Sequence, residues 1–334
     1  MNKLVTIAIP VYKRLHCLPQ ALKSVQVQDY ADIELMVSDN GLNGVKVSDI
    51  VRQCYARPYV FRQNSVSVNI PTHYNQLLQA ASGHYFVWMP DDDAMSSNYI
   101  SELVRTLESN PRISVAIARQ EVVDATGHVM RTSPSTVPAL MTGEDLVRKW
   151  TENGFESYTG ILVRTADARR CGGYPDYPGG THVDDALLVK LCLNHLVAFN
   201  HRCTYRLAND ESSFGWSLKW QLLAEDTRRF LKFLNSDPML LAYANEHREQ
   251  WVELKECLAA MTWGTYLYRW ATLYQRRLPL LQWVRAAFAM PFIPNYYRQV
   301  RSLLLSALNR YASARIKILF PRAHKIYRAL RYRA

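Results

Sequence analysis

Three adjacent carboxylates end an apolar run in Tyr85-Phe86-Val87-Trp88-Met89-Pro90-Asp91-Asp92-Asp93. Like charges at the carboxyl end of a strand repel one another unless a cation or water compensates. Hard divalent ions such as Mg2+ or Mn2+ suit such a cluster, because they prefer oxygen ligands and commonly bind one or two carboxylates plus substrate phosphates. The run reads equally well as a solvated helix start, where the dipole favours Asp. A second acid, Asp39, closes Leu35-Met36-Val37-Ser38. It is placed to accept hydrogen bonds from a base or ribose, and an Asx turn explains it as well. A third site, Asp184-Asp185, follows a glycine-rich stretch and opens the apolar Ala186-Leu187-Leu188-Val189. Such a pair is an ordinary N-cap and first-turn charge. Beside a loop, it is also placed to act as general base toward a substrate hydroxyl.

Those acids need elements to hold them. Short β-branched runs near 4–9, 33–38, 58–62, 84–89 and 113–119 alternate with helical patterns near 17–28, 46–56, 71–82 and 97–109. That alternation predicts an α/β domain with a largely parallel sheet, whose ligands bind at the carboxyl ends of the strands. Further on, the pattern predicts a hairpin at 121–123 and 128–132, a helix opened by Thr142-Gly143-Glu144, and a strand at 158–164. Cys171-Gly172-Gly173-Tyr174-Pro175 and Tyr177-Pro178-Gly179-Gly180 form a turn-rich loop, and long loops inside compact domains are usually functional. From about Trp216 the pattern is helical, broken at prolines. This divides the chain into a catalytic domain over 1–215 and a helical region over 216–334.

Several chemistries are excluded. The first glycine is Gly41, so no GxGxxG or GxxxxGK[ST] follows the first strand, and no HExxH or GxSxG occurs. The six cysteines show no zinc spacing and read as reduced thiols of a cytoplasmic protein. The formal charge of +11 is confined to one end: Cys257 to Ala334 holds 14 Lys/Arg and no Asp or Glu. Apolar residues Val300, Leu303, Leu304, Ala307, Leu308 and Tyr311 share one helical face there, with Arg298, Arg301 and Arg310 elsewhere. A basic amphipathic tail of this kind predicts peripheral association with an anionic membrane surface at the inner face of the cell membrane. Packing on the core or in a homo-oligomer is the competing reading. Nucleic acid is not expected as a partner, because the body is acidic and carries no nucleic-acid module.

In order along the chain, these pieces resemble the family 2 glycosyltransferases with the GT-A fold. Thr6-Ile7-Ala8-Ile9-Pro10-Val11-Tyr12-Lys13-Arg14 is similar to that family's opening segment, and Asp39 falls at its base-binding aspartate. Asn75, Gly83-His84-Tyr85 and Asp91-Asp92-Asp93 resemble its Asn…Gly-x-Tyr…Asp-x-Asp block. Gly172-Gly173-Tyr174 followed by Asp184-Asp185-x-x-Leu188 stands where relatives have a glycine pair and Glu-Asp-x-x-Leu. The resemblance implies an inverting transfer from a nucleotide sugar, usually a UDP-sugar, to a hydroxyl of a glycan or lipid-linked acceptor in cell-surface polysaccharide biosynthesis. It implies a nucleotide-sugar site made by Pro10, Val11, Tyr12, Arg14, Asp39, Asn75, Asp91 and Asp92, a Mn2+ or Mg2+ site among Asp91, Asp92 and Asp93, and Asp185 as base with Asp184 beside it. The chain departs from the pattern at Pro90, where many relatives have the first metal-motif acid, and at Tyr74, where many have Arg. The absence of Gln-x-x-Arg-Trp after the base argues against a processive synthase. Two other readings are a sugar-phosphate nucleotidyltransferase, which expects a glycine-rich basic loop after the first strand, and an inactive membrane-bound scaffold.

Overall fold

The computed structural model describes residues 3–153, 160–209, 217–269 and Gln282. The first half alternates β1 (Val5–Val11), α1 (Leu18–Gln26), β2 (Ile33–Asp39), α2 (Val45–Cys54), β3 (Tyr59–Gln63), α3 (Ile70–Ala80), β4 (Tyr85–Trp88), β5 (Ala94–Met95) and α4 (Tyr99–Ser109). There follow β6 (Ile113–Val123), β7 (Val129–Thr132), β8 (Leu140–Thr142), α5 (Gly143–Asn153), β9 (Ile161–Arg164), α6 (Thr165–Arg170), α7 (Val183–Cys192) and β10 (Leu196–Ala208). Helices α8 (Trp220–Ser236), α9 (Pro238–Glu246) and α10 (Arg248–Arg269) complete the described chain.

One sheet runs β3-β2-β1-β4-β9-β6-β10-β5, with β7 on β6 and β8 on β10. Strands β3, β2, β1 and β4 are mutually parallel; β9 is antiparallel to both β4 and β6, and β10 runs parallel to β6. The α/β sheet expected from the sequence is therefore present. Its order reverses between β1 and β4, and in open α/β sheets the crevice at such a switch point is where ligands bind.

Local chemistry opens that crevice. Asn40 N donates to Val11 O at 2.8 Å on the β2 side, and Met89 N donates to Ala8 O at 2.9 Å on the β4 side. Pro10 is in phase with Ala8, so its missing N–H faces the β4 side, where pairing has ended at Ala8 and Trp88. The two chains part there, and the segments after β1 and β4 face one another across the gap.

Both faces of the sheet are buried, as a parallel sheet requires. Ile7, Ile9, Leu35, Val37 and Val87 pack beneath α1, α2 and α4, with Leu22, Val47 and Leu103 in the same cluster. Ala8, Met36, Phe86 and Trp88 point the other way, into a cluster shared with Leu77, Leu187, Phe230, Leu234, Trp251 and Leu258. Helices α8 to α10 are thus packed on the sheet through the same apolar core. The positions read as an amphipathic tail, 298–311, lie outside the described residues. No described helix is long and apolar enough to cross a membrane.

Candidate active site

Arg14, just after β1, reaches across the switch point to the acids after β4. Its Nη1 lies 2.6 Å from Asp92 Oδ2 and its Nη2 lies 3.1 Å from Asp91 Oδ1. The guanidinium compensates two carboxylates that would otherwise repel one another in a partly desolvated gap. Asp91 is buried, and burial pushes its carboxyl up to about 7, against the opposing pull of Arg14. Asp93 is turned away. Its Oδ2 accepts from Tyr205 Oη at 2.8 Å and its Oδ1 from Ala208 N at 3.0 Å, so both oxygens tie the loop to β10. Burial, then the Asp92 charge, raises the Asp93 carboxyl well above the usual range.

This placement differs from three acids facing a single ion. Among the described residues no three His, Cys, Asp or Glu side chains form a metal cluster. Asp91 and Asp92 still fit a divalent cation in number and donor type, since such ions bind one or two carboxylates and complete their shell with phosphate oxygens. Arg14 already places a positive charge against that pair.

Asp39, at the end of β2 and directly paired with Val11, is fully buried. Its Oδ1 accepts from Gly41 N at 2.9 Å and Asn43 Nδ2 at 2.8 Å, while its Oδ2 accepts from Asn43 N at 2.7 Å. This is the Asx-turn geometry. Asn43 Nδ2 also donates to Tyr12 O at 2.5 Å, which fastens the β2 loop to the β1 loop. Gly41 fits between them because an added Cβ would overlap Tyr12 O. Tyr12 is 45% exposed and borders the cleft, whereas Val11 is buried in the core.

Beneath Asp39, His73 Nε2 meets Ser38 Oγ at 2.8 Å, and burial lowers the imidazole to about 4 against the pull of Asp39. The folded protein therefore holds His73 neutral where the unfolded chain protonates it. This contribution is intact above the unfolded value near 6.5 and is lost as pH falls through about 4, a cost of about 3 kcal/mol. Urea titrations between pH 4 and 7 are expected to show a flatter pH slope for His73→Gln than for the wild type. Identical slopes would count against a neutral buried His73.

Asn75 does not face the cleft freely. Its Nδ2 donates to Tyr174 O at 2.7 Å and its Oδ1 accepts from Tyr174 N at 2.9 Å, so the amide clamps the glycine-rich loop. Gly173, with φ +66°, makes the clamp possible, since a Cβ would overlap Asn75 Oδ1. Tyr174 then stacks on Trp88 with centroids 4.8 Å apart and lies 5.5 Å from Tyr74.

Tyr74 ties the acidic groups together. Its phenol is raised by burial first and then by the charges of Asp91, Asp92, Asp93 and Asp184. The phenol thus feels the charges of the acids after β4 and of the first acid of α7. Within α7, Asp184 Oδ1 accepts from Asp185 N at 3.1 Å. Burial, then the charge of Asp185, raises the Asp184 carboxyl. Asp185 Oδ2 lies 2.7 Å from His182 Nδ1.

Two supporting residues were not singled out from the sequence. Asp226 on α8 is fully buried and accepts from Gly179 N at 3.1 Å and Thr181 N at 2.8 Å, holding the loop that leads to α7. Its signal was a lone acid beside Leu223, Thr227, Phe230 and Leu234 on a buried helical face. His182 stands three residues before Asp185, at the N-cap of α7. A separate cavity of about 280 Å3, lined by Cys171, Lys190, His195 and Tyr243, lies at the other end of α7.

A mostly parallel sheet with acids at its switch point is the arrangement of the α/β proteins that bind ligands at the carboxyl ends of their strands. The glycosyl transferase family 2 pattern matches residues 6–172, and the chain belongs to that family. It is 30% identical over 114 residues to the abequosyltransferase RfbV of Salmonella typhimurium, covering 33% of this chain and 34% of that protein. It is also 30% identical over 103 residues to a GalNAc(5)-diNAcBac-PP-undecaprenol beta-1,3-glucosyltransferase of Campylobacter jejuni, covering 30% and 33%. These matches span about a third of the length of the curated relatives. The crystal structure of S. aureus TarS 1-349 with UDP-GlcNAc has a TM-score of 0.62 at 14% identity, covering 94% of this chain and 91% of that one. The mannosyltransferase PcManGT of Pyrobaculum calidifontis, bound to GDP-Man and Mn2+, has a TM-score of 0.50 at 14% identity, covering 96% and 88%. At these identities the likeness establishes the GT-A-type fold.

Proposed function

We propose that the protein transfers a sugar from a nucleotide sugar, a UDP-sugar by preference, to a hydroxyl of a glycan or lipid-linked acceptor in surface-polysaccharide assembly, with inversion at the anomeric carbon. The observation that carries this reading is the switch point itself, where Arg14 after β1 meets Asp91 and Asp92 after β4 while Val11 pairs with Asp39 at the end of β2. In this reading the nucleotide lies over Tyr12 and Asp39, with the diphosphate at the switch point beside Arg14. Asp91 and Asp92 would hold a divalent cation, which neutralises charge developing on the departing diphosphate. Asp185 removes the proton of the acceptor hydroxyl as its oxygen bonds to the anomeric carbon. The electron pair of the breaking sugar–phosphate bond leaves with the nucleoside diphosphate. The relatives named as an abequosyltransferase and as a glucosyltransferase of an undecaprenol-linked glycan, and the neighbours bound to UDP-GlcNAc and to GDP-Man with Mn2+, support this reading.

A panel of nucleotide sugars tested for thermal stabilisation with and without Mn2+ is the direct experiment. A donor at a hundredfold excess over its Kd adds about 2.7 kcal/mol of stability. One class of UDP-sugar is expected to raise the melting temperature, with a larger shift when Mn2+ is present. Pyrophosphate release from UTP and a sugar phosphate would instead indicate a nucleotidyltransferase, and no response to any donor would indicate an inactive scaffold. The basic stretch from Arg276 to Arg333 suits anionic headgroups and would hold the enzyme near a lipid-linked acceptor. Co-sedimentation with anionic but not neutral vesicles is expected, and equal binding to both would remove the membrane assignment.

A further inference from the structure

Residue 182 carries two unfavourable features at once. His182 has a left-handed backbone with φ +64°, uncommon for any residue but glycine, and it is 3% exposed. Its Nε2 is buried with no hydrogen-bond partner among the described residues. Buried polar atoms are nearly always bonded, and strained backbone persists where the surroundings enforce it, commonly at functional sites.

The surroundings of His182 are specific. Its ring stacks on Phe230 with centroids 5.3 Å apart and planes at 25°. Phe230 belongs to α8, whose Asp226 also binds the backbone at Gly179 and Thr181. From that fixed position Nδ1–H donates to Asp185 Oδ2 at 2.7 Å, with the two side chains 2% and 13% exposed. Asp185 Oδ1 takes no hydrogen bond among the described residues.

We propose that His182 is a positioning residue for the transfer reaction. Held by α8, it fixes one oxygen of Asp185 so that the other is presented to the acceptor hydroxyl. This rests on the reading of Asp185 as base. A free Asp side chain samples several rotamers, and a small displacement of a reacting group can lower the rate about a hundredfold. Through Phe230 and Asp226, α8 thereby supports the site although it follows the glycine-rich loop and the α7 acids in the chain.

The test compares His182→Gly with His182→Asn, alone and with Asp185→Asn, by steady-state kinetics and melting temperature. Glycine accepts the left-handed backbone and lacks the donor. Asparagine tolerates the same backbone and places Nδ2 near the position of Nδ1, without the ring. We expect His182→Gly to fold and to lose about 10–100-fold in kcat with the donor KM unchanged, His182→Asn to recover most of the loss, and His182→Gly to add nothing to Asp185→Asn. Equal losses in the Gly and Asn variants would overturn the proposal, because ring packing would then be the cause. So would full activity in His182→Gly, or an undiminished effect of that change on top of Asp185→Asn. If Asp185→Asn itself turns over normally, the base assignment fails. If only that variant is impaired, the positioning role alone fails.

Discussion

Replacing Asp185 by Asn is expected to lower kcat by roughly 10^2 to 10^4-fold, the range over which a positioned general base contributes. The change is nearly isosteric, and the amide oxygen can still accept from His182 Nδ1, which lies 2.7 Å from the carboxylate in the wild type. Folding should therefore survive, and so should donor binding, which relies on groups across the cleft. Single-turnover release of UDP, measured beside donor titration by thermal shift, separates the two. Asp184→Asn is the contrasting variant. Asp184 Oδ1 accepts its bond from Asp185 N, and an amide oxygen accepts that bond as well, so the variant preserves its shape. Its kcat is expected to stay within about tenfold of wild type. Undiminished turnover in Asp185→Asn, or the larger loss in Asp184→Asn, would move the base assignment away from Asp185.

The difference between those two neighbours was not legible in the sequence, where they are two identical letters at the start of a helix. Identity and order along the chain were legible, because the strands β1 to β4 are short, apolar and cleanly separated by helices. Direction was not. Asp93 follows Asp92 directly, yet its oxygens bond to Tyr205 and Ala208, residues more than a hundred positions away on β10. That strand has no clear pattern in the sequence, because its register shifts between Asn200 and Thr204 and breaks the alternation that marks a half-buried strand. Charge along the chain is a poor guide to the core for a related reason. Charge changes sharply at Cys257, but Leu258 and Tyr266 just beyond it are fully buried within α10. Composition reports where charges are, whereas the core is set by the apolar face of a helix that continues through the change. His182 and Asp226 depend on contacts between α7 and α8 that no local pattern encodes.

Asp92→Asn is expected to remove the response to Mn2+ and lower kcat/KM by roughly 10^2 to 10^3-fold, the cost of losing one element of an electrostatic clamp on developing charge. Asp92 is the acid of the trio with a close ion pair at 2.6 Å to Arg14 and no oxygen committed to the sheet. Removing its charge also relieves Asp91 and Asp93, both of which it raises. The folded protein should therefore lose little stability. Asp93→Asn should behave in the opposite way. An amide there must direct its NH2 group at either Tyr205 Oη or Ala208 N, leaving a buried donor without an acceptor at a cost of about 1–3 kcal/mol. The melting temperature should fall while the stabilisation by donor and Mn2+ persists in the protein that remains folded. Thermal shift with and without Mn2+ on both variants reads the two effects in one experiment. If Asp93→Asn abolishes the metal response and Asp92→Asn leaves it intact, the cation is held by the inward-facing acid and the switch-point assignment is wrong.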